Sequence, residues 1–154
     1  MSNRTEAATS TVSEVTEPKR RAAAFLRMRE ARRNEAAEDY VELIGDLIAT
    51  TGEARLTDLA AHLGISAATA SKVVDRLQLA GLLESLPYRS IFLTERGQAV
   101  AAASRHRHAI VREFLRAIGV SESTSEADAE GMEHHVSDET LAALVRATRL
   151  LKPK

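Results

Sequence analysis

The segment spanning residues 56–81 restricts the possible folds of this chain more than any other. Residues 56–63 have the apolar spacing of a short helix, Gly64 permits a tight turn, and Ser66 is a suitable N-cap for a second helix that runs to Gly81. This pattern predicts a helix-turn-helix. The apolar residues expected to pack its two helices together are Leu59, Ala60, Leu63, Ile65, Ala70, Val73 and Leu77.

The segment that follows predicts a β-hairpin. Residues 82–86 and 91–93 are two short β-prone runs, and the turn between them contains Pro87, Tyr88 and Arg89. A hairpin directly after a helix-turn-helix is typical of a winged helix-turn-helix, which is a DNA-binding unit. The alternative, a plain helical hairpin, would have no DNA partner and no use for the wing.

The start of the second helix has the side chains that DNA recognition requires. Small and hydroxyl side chains let a helix N-terminus come close to the major groove. We expect Ser66, Ala67, Ala68 and Thr69 to meet base edges, and Ser71, Lys72, Arg76 and Arg89 to contact the DNA backbone. The formal net charge of −1 gives no general attraction to nucleic acid, so DNA binding must depend on this local surface.

The composition favours a mainly α protein. Hydrophobic residues make up 44% of the 154 residues but aromatic residues only 3%, so the core must be built from Ala, Leu, Val and Ile. The absence of cysteine excludes disulfides, thiolate metal sites and cysteine nucleophiles. No apolar run approaches the length of a membrane span, and the N-terminus does not resemble a signal peptide. We therefore expect a soluble, cytoplasmic protein.

Two domains are expected after a basic N-terminal tail. Residues 1–33 lack a periodic apolar face and become rich in arginine, which predicts a mobile tail. The alternative is that residues 22–33 form a helix whose arginines contact phosphates. From Asn34, a suitable N-cap, apolar residues recur at the spacing of a helix with one buried stripe: Tyr40, Ile44, Leu47 and Ile48. Residues 34–95 would form the winged helix-turn-helix, and residues 96–154 a second, helical domain.

The second domain is expected to form a dimer. Thr94 would cap a long helix that ends near Gly119, and Ser137 would cap the last helix, which has Leu141 and Leu144 at core spacing. These helices carry more apolar surface than one small monomer needs. A homodimer would cover that surface and would present two helix-turn-helix units to two DNA half-sites.

Residues 130–135 concentrate more coordinating side chains than any other stretch. In a helix, Glu130, Glu133 and His134 stand at i, i+3 and i+4, so their side chains leave one face and can converge on a cation. Oxygen ligands with one imidazole suit a hard or borderline divalent metal. Acids at this spacing are also common on solvated helix faces. The same two readings apply to Asp39 with Glu42, which lie three residues apart, and to His108 on the long helix.

A winged helix-turn-helix followed by Arg107-His108 and by Glu-Gly-Met-Glu-His-His at 130–135 resembles the diphtheria toxin repressor family, most closely its manganese transport regulators. The likeness extends from about residue 36 to 144. It implies a Mn²⁺-responsive transcriptional repressor of manganese uptake genes that binds a palindromic operator as a homodimer. It also implies a pair of Mn²⁺ ions per subunit, held by Asp39, Glu42, His108, Glu130, Glu133 and His134. His135 matches the motif but is not a family ligand.

Two departures from iron-sensing relatives bear on the metal and on the domain organisation. Those relatives have a Met and a Cys where this chain has Asp39 and Glu130, and harder ligands favour Mn²⁺. They also continue into a C-terminal SH3-like domain, for which this chain is expected to have no room.

Three other functions remain open at this stage. An iron or zinc sensor of the same family would use similar ligands, and a winged-helix regulator could respond to a small organic molecule instead. A dinuclear metallohydrolase would need a substrate pocket and a general acid or base, for which the sequence offers no candidates beyond the metal ligands. We therefore expect that the protein is not an enzyme, takes no small-molecule substrate and has no membrane partner.

Overall fold

The computed structural model describes residues 18–86 and 90–151. Within these residues the fold is mainly α with one short hairpin, as the sequence predicts. The helices are α1 (Pro18–Thr51), α2 (Leu56–Leu63), α3 (Ala67–Leu79), α4 (Glu95–Ala117), α5 (Glu122–Met132) and α6 (Asp138–Leu151), the strands are β1 (Leu83–Ser85) and β2 (Ile91–Leu93), and a 3₁₀ turn (Glu133–His135) follows α5.

The first helix begins much earlier than predicted. Helix α1 starts at Pro18, so residues 18–33 are helical, which agrees with the alternative considered for residues 22–33, and Asn34 lies inside the helix instead of capping it. This segment contains good helix formers and no internal proline or glycine, and proline is favoured at the first helical position. Most of its side chains are exposed, including Phe25, so the sequence has no apolar stripe here from which a helix could be predicted. Residues 1–17 lie outside the described residues.

The helix-turn-helix forms at the predicted positions. Gly64 has a φ of 63°, in the left-handed region, and ends α2. The side chain of Ser66 accepts a hydrogen bond of 3.1 Å from the backbone N–H of Thr69, which caps α3. Helix α3 ends at Leu79 rather than at Gly81, which has a φ of 72° in the turn leading to the wing.

The wing is an antiparallel pair of short strands. Strand β1 pairs with β2 in the register Leu83 to Leu93 and Ser85 to Ile91, and the backbone N–H of Ile91 donates to the carbonyl of Ala54 at 2.7 Å. Arg89, which is predicted to contact the DNA backbone, and Tyr88 beside it lie outside the described residues. A Cβ on Gly97 would lie 1.9 Å from the backbone oxygen of Leu82, so glycine is required where α4 begins beside the wing.

Two apolar clusters divide the molecule. The larger joins the C-terminal half of α1 to the helix-turn-helix and the wing, and its buried members are Val41, Ile44, Leu47, Ala54, Leu59, Val73, Val74, Leu77, Leu82, Leu83, Ile91 and Ala101. The smaller contains Val111, Leu115, Ala129 and Leu141. Helix α4 packs against α1, α5 and α6 and so connects both clusters. None of the described helices is long and apolar enough to cross a membrane.

The caps predicted for the last helices are confirmed. Thr94 accepts a hydrogen bond from the backbone N–H of Gly97 at 3.1 Å, and Ser137 accepts one from Thr140 at 3.2 Å. Leu141 is buried as predicted. Residues 130–135, however, do not form one α-helix, because α5 ends at Met132 and the chain tightens into the 3₁₀ turn.

Candidate metal centre and nucleic-acid surface

The predicted metal ligands come together where α1, α4 and the end of α5 meet. Helix α1 contributes Asp39 and Glu42, helix α4 contributes His108, and the α5 end with its 3₁₀ turn contributes the other three: Glu130, Glu133 and His134. We call these three helical parts and their charged side chains the junction.

Glu133 is at the centre of the junction. Its side chain is only 3% exposed, and its Oε1 accepts a hydrogen bond of 2.9 Å from the hydroxyl of the fully buried Ser104. Its Oε2 lies 2.9 Å from Nδ1 of His108 but in a geometry that makes no hydrogen bond. This oxygen is therefore buried with its hydrogen-bonding capacity unused, which is costly for a carboxylate without a compensating cation.

The two imidazoles face the carboxylates from opposite sides. Nε2 of His134 lies 3.2 Å from Oδ1 of Asp39 and 3.5 Å from Oε1 of Glu133. Nδ1 of His108 lies 3.2 Å from Oε2 of Glu130, which is mostly exposed. Within residues 18–86 and 90–151, no group of three or more His, Asp or Glu side chains is arranged to hold a metal ion as it stands.

Glu42 has a different neighbour from the other five. Its Oε1 lies 3.9 Å from Nε of Arg105, whose Nη2 also contacts Asp46 at 3.5 Å. It is nevertheless close enough to raise the pKa of both Asp39 and Glu133 through repulsion between like charges. Glu42 is thus near Asp39 and Glu133 but has Arg105, rather than a histidine, as its charged partner.

Burial and charge shift the protonation of the junction. Burial raises the pKa of Asp39 and of Glu133, because both carboxylates lose water. Burial lowers the pKa of His134, but the hydrogen bond to Glu38 and the charges of Asp39 and Glu133 outweigh it, so the net shift is upward. Burial thus disfavours the anionic forms of Asp39 and Glu133, and positive charge is favoured beside them.

Sequence reasoning missed Glu38, Glu126 and Arg112 as well as Ser104, and it gave Arg107 no role beyond its place in the motif. Glu38 contacts both His134 and Arg107, and Glu126 contacts both His108 and Arg112. Hydrogen bonds with Arg112 and then His108 hold the pKa of Glu126 below its ordinary value. Glu38 stands next to Asp39 in the sequence, but ordinary solvated acids also occur at such spacings, so no signal separated it from them.

The residues predicted to contact DNA lie on the outer side of α3. The structure describes seven of these residues: Ser66, Ala67, Ala68, Thr69, Ser71, Lys72 and Arg76. Ser71 is half-buried and the other six are exposed. Arg89 is outside the described residues. The hydroxyls of Ser66 and Thr69 lie 2.9 Å apart, so the two side chains also form a hydrogen bond with each other at the start of α3. Buried Ala70, Val73 and Leu77 fix the opposite side of the helix in the core.

Two family models match almost all of the described chain. Residues 34–91 match the "iron dependent repressor, N-terminal DNA binding domain", and residues 94–152 match the "iron dependent repressor, metal binding and dimerisation domain".

The chain belongs to the iron-dependent repressor family.

Similar members of this family are transcriptional regulators. The chain is 54% identical to transcriptional regulator MntR of Escherichia coli over 77% of both chains, and 50% identical to transcriptional regulator MntR of Salmonella typhimurium over 81% of this chain and 80% of that one. A solved manganese-dependent transcriptional repressor in complex with manganese is 29% identical, with a TM-score of 0.65 over 73% of this chain and 52% of that structure. The chain thus spans about half the length of that solved repressor. The family and the winged fold predicted from the sequence are confirmed.

Proposed function

We propose that the protein is a manganese-responsive, DNA-binding repressor that acts as a cytoplasmic homodimer on a palindromic operator. Its target genes would be those for manganese uptake, and the role requires no catalytic step. The observation that carries the proposal is the buried carboxylate of Glu133, whose free Oε2 lies between α4 and the α5 end in a junction rich in hard ligands. The family match and the manganese regulators among the relatives support the same function.

The junction has a donor set that fits Mn²⁺. Four carboxylates and two imidazoles, without any thiolate, suit a hard or borderline divalent ion. The proposed ligands for two ions per subunit are Asp39, Glu42, His108, Glu130, Glu133 and His134. Bound metal would supply positive charge to carboxylates that burial and mutual repulsion disfavour as anions. His108 and His134 contact these acids directly in the structure, so bound metal would take the place of those contacts.

Metal binding would affect DNA binding through α1. Asp39 and Glu42 lie on the same helix as Val41 and Ile44, which belong to the larger apolar cluster. We call the part of the molecule that this cluster holds together, from the C-terminal half of α1 to β2, the winged unit. The other ligands belong to α4 and the α5 end. Shared ligation would therefore fix the winged unit relative to the dimerising helices and hence set the separation of the two α3 helices in a dimer.

Thermodynamic linkage gives this coupling a second consequence. If metal raises the affinity for the operator, the operator must raise the affinity for metal by the same factor. An operator that leaves the Mn²⁺ affinity unchanged would contradict the coupling.

The direct experiment is a Mn²⁺ titration of the purified protein, with free metal measured by electron paramagnetic resonance. The wild type should bind about two ions per subunit, and Glu133→Ala should lose most of this binding because the central ligand is gone. Glu139→Ala, which removes an exposed carboxylate on α6, is the matched control and should titrate like the wild type. No saturable binding, or binding unaffected by Glu133→Ala, would contradict the proposal.

A further inference from the structure

Each of the two histidines in the junction has its second ring nitrogen held by a carboxylate. Nδ1 of His134 lies 3.0 Å from Oε2 of Glu38, and the same oxygen accepts a hydrogen bond from Nη2 of Arg107. On the other side, Nε2 of His108 lies 3.0 Å from Oε1 of Glu126, whose Oε2 accepts from Nη1 of Arg112 at 3.2 Å. The arrangement is the same twice, with the ring nitrogens exchanged.

In each histidine, the ring nitrogen that does not contact Glu38 or Glu126 faces the proposed acidic ligands. For His134 the remaining nitrogen is Nε2, which points at Asp39 and Glu133. For His108 it is Nδ1, which points at Glu130 and Glu133. An imidazole binds a metal only through a nitrogen that carries no proton, so the carboxylate on the opposite nitrogen decides which atom is available.

We propose that Glu38 and Glu126 are positioning residues that select opposite tautomers of the two histidines. Glu38 keeps the proton of His134 on Nδ1 and leaves Nε2 as the ligand atom, whereas Glu126 keeps the proton of His108 on Nε2 and leaves Nδ1. This inference rests on the proposed metal-binding function and adds two residues that are not themselves ligands.

An arginine holds each of the two positioning carboxylates in place. A carboxylate that accepts a hydrogen bond from a guanidinium keeps one orientation, so it acts as a steady acceptor for the imidazole N–H. Arg107 and Glu38 are both mostly buried, at 22% exposed each, whereas Arg112 and Glu126 are more exposed, at 41% and 55%. Water can replace the more exposed pair in part, and we therefore expect Glu38 to matter more than Glu126.

The chain contains matched controls for both residues. Glu35 lies one turn before Glu38 on α1, and its nearest imidazole is that of His135 at 3.9 Å, which is too long for a hydrogen bond. Glu122 lies one turn before Glu126 on α5 and pairs with Arg116 at 3.0 Å, as Glu126 pairs with Arg112. Glu35→Gln and Glu122→Gln therefore remove the same charge from the same helices without removing a hydrogen bond to His134 or His108.

The first measurement is the Mn²⁺ affinity of the four glutamine variants in the full-length protein. Loss of a residue that orients a metal ligand typically lowers metal affinity by about 10–100-fold, and we expect Glu38→Gln to reach this range and Glu126→Gln its lower end. Glu35→Gln and Glu122→Gln should stay close to the wild type. Equal losses in a variant and its control would reduce the effect to removal of a charge and overturn the proposal.

The second measurement identifies the ligand atoms directly. With ¹⁵N-labelled histidine and ¹¹³Cd²⁺ as a diamagnetic probe, nitrogen–cadmium coupling should appear at Nε2 of His134 and at Nδ1 of His108 in the wild type. In Glu126→Gln the coupling at Nδ1 of His108 should weaken or move to Nε2, which a general loss of stability would not produce. Coupling at the opposite nitrogens in the wild type would overturn the proposal.

The two proposals fail in different ways. If wild-type protein binds no Mn²⁺, the proposed function is wrong and the positioning roles fall with it. If binding is lost in Glu133→Ala but unchanged in both Glu38→Gln and Glu126→Gln, the metal site stands and only the positioning roles are wrong.

Discussion

The winged unit and the junction are stabilised by opposite means. The winged unit has an apolar core in which Ile44, Leu59 and Ile91 are almost completely buried. The junction instead buries Glu133 and His134 and surrounds them with ion pairs. Apolar burial contributes to stability whatever the ionic conditions, whereas buried charges do so only when they are well paired. We therefore expect folding to depend on the first region and metal response on the second.

The largest effect on stability is expected in the apolar core. Ile44→Ala removes a fully buried side chain between α1 and the helix-turn-helix, and the resulting cavity should lower the free energy of unfolding by about 2–5 kcal/mol. Urea unfolding followed by circular dichroism measures the change. Leu79→Ala, at a side chain that is 91% exposed, should change it by less than about 0.5 kcal/mol. A similar cost for both variants would refute the assignment of this core.

A smaller but more selective effect is expected at the junction. Metal that binds only the folded state at 100 times its dissociation constant raises the free energy of unfolding by about 2.7 kcal/mol. Glu133→Ala should lose most of this Mn²⁺-dependent gain, because it removes the central carboxylate. Ile44→Ala should keep the gain despite its lower starting stability. Thermal unfolding with and without Mn²⁺ tests both, and a gain preserved in Glu133→Ala would break the contrast between the two regions.

The same contrast explains how much the sequence could predict. The winged unit is built from local signals: apolar periodicity, the cap residues Ser66 and Thr94, and Gly64 at a left-handed turn. Each of these acts over a few residues, so the pattern was sufficient. The resemblance to a known family then named the six candidate ligands, and the structure brings them to one junction.

The partners of those ligands could not be predicted from spacing. Glu38 and His134 are 96 residues apart, and Ser104 and Glu133 are 29 apart, so only the packing of α1, α4 and the 3₁₀ turn brings them together. The start of α1 was missed for a different reason. Residues 18–33 bury almost nothing, and an exposed helix leaves no apolar stripe to detect.

Substitutions on the exposed surface of α3 should change DNA binding, unlike those that test the apolar core and the junction. Lys72 is exposed on α3 and is predicted to contact a phosphate, so Lys72→Ala should weaken operator binding for all sequences and reduce the slope of log affinity against log salt by about one unit. Arg149→Ala removes the same charge from α6, outside the predicted DNA-contacting surface, and should leave the salt slope unchanged. Fluorescence anisotropy at several salt concentrations measures it. If the slope for Lys72→Ala equals that of the wild type, Lys72 contacts no phosphate.

The smallest effect is expected where a carboxylate supports the wing. Ser90 donates a hydrogen bond of 2.6 Å to Glu53, and this bond, followed by that from Arg55, holds the pKa of Glu53 below its ordinary value of 4.5. A carboxyl whose pKa is lower in the folded state stabilises the fold above its unfolded pKa, and that contribution disappears as the pH falls through the folded value. Ser90→Ala should therefore raise the pKa of Glu53, as measured by carboxyl ¹³C NMR titration, whereas Ser85→Ala in the facing strand should leave it unchanged. Because the side chain of Glu53 is still 39% exposed, water screens the interaction and the loss of stability at acidic pH should be slight. A pKa that stays low in Ser90→Ala would assign the shift to Arg55 alone.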